Sequence, residues 1–308
     1  MSTEVVLFIQ QIINGLKIGS VYALVALGYT MVYGIIRLIN FAHGDFIMVG
    51  SYTLLYSIPI MVSIGLPPWI SVVIAIGVCA LVGITVEKVA YKPVREKGTK
   101  MSALITAIAM SLFLENLAQT VFGASPKPIG SIFSLPSIKV GGINLNSNTM
   151  LTILLGVLCM IGLQFFVKKT KTGKAMRAVS EDGQASILMG IDKNKTITLT
   201  FAIGSALAAI ASLMYCASYP QATPTLGAML GLKAFVAAVL GGIGIIPGAM
   251  LGGIVIGLVE SLTKAYIGSL TGGIITSAFS DAIVFGILIL VLIVKPSGIL
   301  GKNIGEKV

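Results

Sequence analysis

Nine apolar stretches follow one another along the chain, at residues 5–34, 46–64, 67–87, 101–122, 149–167, 196–218, 227–245, 248–267 and 281–294, divided by short polar or basic gaps. Several contain windows of about 18 to 25 residues with few or no charges, the length a helix needs to cross a hydrocarbon core, whereas β-barrel strands are shorter and alternate in polarity. The pattern predicts an all-α protein: a polytopic integral membrane helix bundle of about eight to ten transmembrane helices, nine by preference, forming one domain over residues 1–308. The first stretch follows MSTEVV, without a basic leader, and is about twice as long as the apolar core of a secretory signal. It reads as a retained membrane helix.

Composition agrees. Of 308 residues, 56% are hydrophobic and 10% charged, with a mean hydropathy of +1.00, where a soluble domain is about a quarter charged. Cys79, Cys159 and Cys216 all lie in apolar stretches, as thiols serving as small hydrophobes do, and neither a disulfide framework nor a metal-ligand spacing is visible.

The net charge of +10 is unevenly placed. Five basic residues (Lys88, Lys92, Arg95, Lys97, Lys100) fill one gap, seven (Lys168, Lys169, Lys171, Lys174, Arg177, Lys193, Lys195) another, and Lys295, Lys302 and Lys307 the C-terminus. By the positive-inside rule these stretches are cytoplasmic, which points to topology and contact with membrane lipid rather than to nucleic acid. Two segments separate the first cluster from the second and four the second from the tail, so the assignment is self-consistent. It puts the N-terminus outside, unless Gly15, Lys17 and Gly19 break the first segment into two half-helices. The gap from Gly123 to Asn148 faces out and is expected to dock a soluble partner.

Ionisable residues inside spans are costly and mark candidate functional sites. Here they are Lys17, Glu115, Lys233, Glu260 and Lys264, with Asp281 at a helix start. Lys233, Glu260 and Lys264 are the candidates for a substrate pathway. Glu260 and Lys264, four apart, are also spaced as a structural ion pair, and Lys233 has the reach to snorkel to an interface. In RLINFAHGDF the lone His43 has no accompanying nucleophile or third ligand, and Asn40 or Asp45 is expected to cap the next helix. Neither a catalytic nor a metal site is predicted.

In GGIGIIPGAMLGGIVIGLVES, Gly244, Gly248 and Gly252, and separately Gly253 and Gly257, recur every four residues and are expected to share helix-packing faces, because small residues let helix backbones approach closely in lipid. Pro247 marks a tight turn or a re-entrant loop before the next span.

The segment 173–192, GKAMRAVSEDGQASILMGID, is charged and amphipathic yet lies between two spans. Met176, Val179, Ile187 and Ile191 share one face, with Lys174, Arg177, Glu181 and Asp182 mostly on the other, and Gly183 suggests two short helices. Anionic lipid would repel Glu181 and Asp182, so a protein partner explains the acidic pair better. This segment resembles the cytoplasmic coupling helix of ATP-binding-cassette (ABC) importer permeases, with Glu181, Asp182, Ala185, Gly190 and Ile191 standing where the branched-chain amino acid permeases carry an acidic pair, an alanine and a glycine-isoleucine. YGIIRLINFAHGDFIMVGSY, YKPVR, LKAFVAAVLGGIGIIPGAMLGG and KPSGILG resemble the same family in the same order, closest to its LivH-type subunits, over essentially the full length.

The resemblance implies a permease subunit of an importer for leucine, isoleucine and valine in a bacterial or archaeal inner membrane. It implies four kinds of partner: a second homologous permease, two cytoplasmic ABC ATPases, an external solute-binding protein and membrane lipid. Met176, Val179, Glu181, Asp182, Ala185, Ile187, Gly190 and Ile191 would form the ATPase-coupling surface. The chain has no G-x-x-x-x-G-K-[ST] phosphate loop; KTKTGKAM lacks the first glycine and the Ser or Thr. It is therefore expected to bind no cofactor and to be no enzyme, with ATP and magnesium used by the partner ATPase. A related ABC permease for another solute, an ion-gradient secondary transporter and a membrane-embedded enzyme are the alternatives; no internal repeat favours the second, and no constellation of nucleophile, base or metal ligands favours the third.

Overall fold

A computed structural model describes residues 3–133, 136–140 and 143–301. Lys302 and Lys307, counted in the C-terminal basic cluster, lie outside the described residues, as do positions 134, 135, 141 and 142 of the expected external loop. Among the described residues the chain folds into twelve α-helices: α1 (Thr3–Ile36), α2 (Asp45–Ser63), α3 (Ile70–Val86), α4 (Lys92–Lys97), α5 (Lys100–Phe122), α6 (Ser147–Lys169), α7 (Lys171–Glu181), α8 (Gly183–Leu188), α9 (Lys193–Cys216), α10 (Leu226–Gly241), α11 (Ile246–Leu270) and α12 (Ser280–Val294). Among the described residues, strands are confined to two short antiparallel ladders: β1 (Lys127–Pro128) with β4 (Gln221–Ala222), and β2 (Ile138–Val140) with β3 (Ile143–Leu145).

Among the described residues, eight helices are long and apolar enough to span a membrane. The stretch expected over 227–245 is shorter than the preferred count of nine requires: α10 has 16 residues, about 24 Å at 1.5 Å per residue. It ends at Gly242, whose φ of +107° an L side chain rarely adopts. Its last carbonyls are taken by the C-terminal segment, where Ile299 and Leu300 donate to Leu240 and Gly241 at 2.8 and 3.1 Å. A helix end inside an apolar environment needs such partners.

The most enclosed spans are α1 and α9, with 78% and 72% of their apolar windows buried, against 22% for α5 and 11% for α12. The first two form the core; the last two leave apolar faces outward. α1 is not broken at Gly15–Gly19. Those glycines instead form one side of a seam with α11, where a Cβ at Gly257 would lie 2.3 Å from the Gly19 backbone and one at Gly253 2.3 Å from that of Ala23. The other side of α11 meets α10, with Gly248 against Gly241 and Gly252 against Ala237. Gly244 does not share a face with Gly248 and Gly252: it precedes α11, in the turn from α10, with φ +89°. Pro247 occupies the first turn of α11, where a missing N–H costs nothing.

Between α1 and α2 the chain reverses at Arg37, a non-glycine residue with φ +57°, and climbs back beside α1. The His43 ring packs on Gly28, eight residues or about 12 Å before the end of α1. Gly44 lies backbone to backbone with Gly227 and Gly231 of α10. So α2 begins inside the bundle rather than at its edge. Neither Asn40 nor Asp45 caps it by a side chain, contrary to expectation; the Asn40 Oδ1 instead accepts a 2.6 Å bond from the Tyr91 hydroxyl.

Candidate functional site

The segment between α6 and α9 folds as two helices broken at Asp182, each start capped by its own side chain. Thr170 accepts from the N–H of Gly173 at 3.0 Å, Asp182 from Gln184 and Ala185 at 2.8 and 3.0 Å, and Asp192 from Lys195 at 3.0 Å. Side-chain oxygens satisfy N–H groups that a helix start leaves free. The two backbone donors at Asp182 hold its carboxyl below the ordinary aspartate range, and the Lys195 backbone N–H does the same for Asp192.

Met176 and Val179 are buried and Gly173 lies against the Val167 backbone, so this side of α7 anchors the segment to the permease itself. The exposed side carries Glu181, Asp182, Gln184 and Ala185 and ends in a knuckle of Ile187, Leu188 and Met189, 49%, 87% and 81% exposed. Gly190, with φ +81°, turns the chain back, and Ile191 is half-buried behind it. Sequence periodicity picked out Ile187 but missed Leu188 and Met189, because a single helical period does not continue through the break at Asp182. Large apolar side chains held outward by a capped helix form a contact surface.

Beside the segment, Glu87, in a π-helical turn at Glu87–Tyr91, accepts from Arg95 at 3.0 Å and from Thr198 of α9 at 2.8 Å. Arg95 also reaches Asn194 at 2.9 Å. This latch ties the first basic cluster to the start of α9, and its buried carboxylate was not singled out in the sequence.

The Asp182 cap makes a direct prediction. Asp182→Ala is expected to speed amide exchange at Gln184 and Ala185 and to leave α7 as protected as before, measured by hydrogen–deuterium exchange. Because the folded carboxyl titrates below the unfolded one, its contribution is complete above about pH 3.9 and is lost as pH falls through the lower folded value. Acidification should therefore loosen α8 in the wild type and not further in the variant.

Four of the six charges expected in or at the ends of spans, Lys233, Glu260, Lys264 and Asp281, converge in one cluster. Lys233 of α10 is buried rather than snorkelled and donates to Glu260 of α11 at 2.8 Å and to Asp281 of α12 at 2.7 Å. Glu260 also accepts from the i+4 Lys264 at 2.5 Å and from the Tyr22 hydroxyl of α1 at 2.7 Å. The network thus joins four helices. Lys17 lies 5.8 Å from the Tyr219 ring centre, a cation–π distance. Among the described residues no group of three or more His, Cys, Asp or Glu side chains gathers as a metal site would require.

Comparison with known proteins places this architecture. The family described as branched-chain amino acid transport system, permease component, matches residues 11–292. The chain is 41% identical over the full length of both proteins to the high-affinity branched-chain amino acid transport system permease protein LivH of Escherichia coli K12. It is 40% identical to BraD of Pseudomonas aeruginosa, covering 99% of each chain. It is 30% identical to a probable LivH permease of Methanocaldococcus jannaschii, over 91% of this chain and 88% of that one.

Proposed function

This chain belongs to the permease components of branched-chain amino acid transport systems, and from that membership we propose how it works. It is a multi-pass inner-membrane permease of an ABC importer, and it supplies the pathway for leucine, isoleucine and valine while two ATPase subunits hydrolyse ATP with magnesium. A second, related permease completes the pathway, and an external binding protein delivers the solute to the face around β1 and β4.

The observation that carries the coupling assignment is the outward knuckle from Glu181 to Met189, held by the Asp182 cap and backed by the buried Met176 and Val179. A partner gripping the exposed side moves α7 as one body, and the buried side passes that motion to the cytoplasmic ends of α1, α6 and α9. Closure of the ATPase pair would then rock the bundle between outward-open and inward-open states, an alternation of two packed arrangements.

Co-expression with its genomic neighbours, purification and assay of leucine-stimulated ATP hydrolysis in liposomes with the binding protein test this reading. Glu181→Lys reverses charge on the partner-facing side and is expected to lower stimulated hydrolysis by roughly tenfold or more, with the chain still inserted. Wild-type transport by that variant removes the coupling assignment. Solute movement by the purified chain without any ATPase removes the importer reading.

A further inference from the structure

At the cytoplasmic end of the bundle a cavity of about 240 Å³ lies behind α7, between the ends of α1 and α6 and the start of α11. Its buried walls are apolar, with Met31 of α1, Val167 of α6 and Met176 of α7 among them. Its exposed charges are all basic: Lys168 of α6 and Arg177 of α7 line it, and no Asp or Glu does. The Arg177 guanidinium is held at the end of α6 by donating to the Lys168 carbonyl at 3.3 Å. Among the described residues, neither side chain has a carboxylate within ion-pair distance.

Two further groups on the same lining favour an anion. Helix α11 starts there, at Ile246 and Pro247, and its N-cap Ile245 supplies no side-chain bond. The first turn of a helix carries partial positive charge and unsatisfied N–H groups. Thr30 of α1 is 1% exposed, and its hydroxyl has no hydrogen-bond partner. A buried hydroxyl is costly to leave so, and an acceptor brought into the cavity would relieve it. Four helices thus bring positive charge or a free donor to one apolar chamber, and none brings a counter-ion.

We propose that this cavity holds the phosphate of an anionic phospholipid from the cytoplasmic leaflet, on Lys168 and Arg177. Charge and depth choose the occupant. The chamber lies where α1 and α6 leave the hydrocarbon, at the level of the headgroups, and basic pockets between helices on this side bind anionic lipid. Along α6, Val157, Ile161 and Lys168 follow at helical spacing. Val157 and Ile161 are 39% and 59% exposed, so an apolar track for an acyl chain runs up to the cation. A free amino acid would bring an ammonium that meets no carboxylate on the lining. The bound lipid links Arg177 of α7 to the ends of α1 and α6, and so braces the 173–192 segment from the side opposite its outward knuckle.

The purified transporter, delipidated in detergent, is titrated with phosphatidylglycerol or phosphatidylcholine, and bound lipid is counted by native mass spectrometry. Phosphatidylglycerol is expected to bind the more tightly. Lys168→Gln combined with Arg177→Gln should weaken it about tenfold or more. Lys171→Gln combined with Lys174→Gln removes the same charge from exposed positions off the cavity and should leave binding near that of the wild type. Equal weakening by both pairs means that lipid is held by overall charge alone and overturns the site. Gly34→Leu tests the chamber with every charge in place: Gly34 is on the lining, and a Cβ there meets nothing closer than 3.8 Å. It should weaken phosphatidylglycerol binding as well; unchanged binding overturns the site. So does a wild type that binds both lipids alike. Inorganic phosphate that displaces the lipid at equal concentration assigns the cavity to a free anion and overturns the lipid reading. Because binding is read without transport, failure here leaves the importer reading intact.

Discussion

Replacing Glu260 with methionine is expected to destabilise the protein by about 3 to 5 kcal/mol, the range for removing one member of a buried ion pair. Glu260 is buried and accepts hydrogen bonds from Lys233, Lys264 and Tyr22. Lys264 is half exposed and can turn outward, but Lys233 is buried and would keep only Asp281. The cost falls on the lysine left behind. Adding Lys233→Met should therefore recover much of the loss, since a buried pair replaced by apolar side chains of similar size is often close to neutral. The pair is to be compared by unfolding of the purified protein in detergent as a double-mutant cycle. A cost below about 1 kcal/mol for Glu260→Met, or strictly additive losses, would show that the network holds little of the fold together.

Gly253→Leu is expected to separate α1 from α11 and prevent assembly of a stable protein. A Cβ at position 253 would stand 2.3 Å from the Ala23 Cα and N, which are backbone atoms of a buried helix and have no rotamer to adopt. Overpacking of a side-chain site costs about 1 to 3 kcal/mol; a clash with backbone belongs at or above the top of that range. Even Gly253→Ala should lower stability measurably. Gly286 in α12, with open space around it, is the control: Gly286→Leu should unfold like the wild type. Equal melting of Gly253→Leu and Gly286→Leu would mean that the seam is not what holds α1 against α11.

The sequence alone determined the rough limits of the apolar helices, the small-residue period within α11 and the two-helix form of 173–192. These follow from local quantities: hydropathy over a window, basic residues flanking it, and small residues at a four-residue period. Even the acidic pair was legible, although its members divide their labour, with Asp182 capping α8 and Glu181 left exposed.

Only the tertiary structure decided which partner each special residue meets. Lys233 and Glu260 are 27 positions apart and Tyr22 and Glu260 are 238 apart, so no helical period relates them. The re-entry at Arg37–Gly44 depends on backbone contact between Gly44 and Gly227, and the apolar groove near the end of α5 is lined by α2, α3 and α5 together. Local patterns set which faces are apolar or small; which of those faces meet is settled by long-range packing, where each contact depends on all the others being made at once.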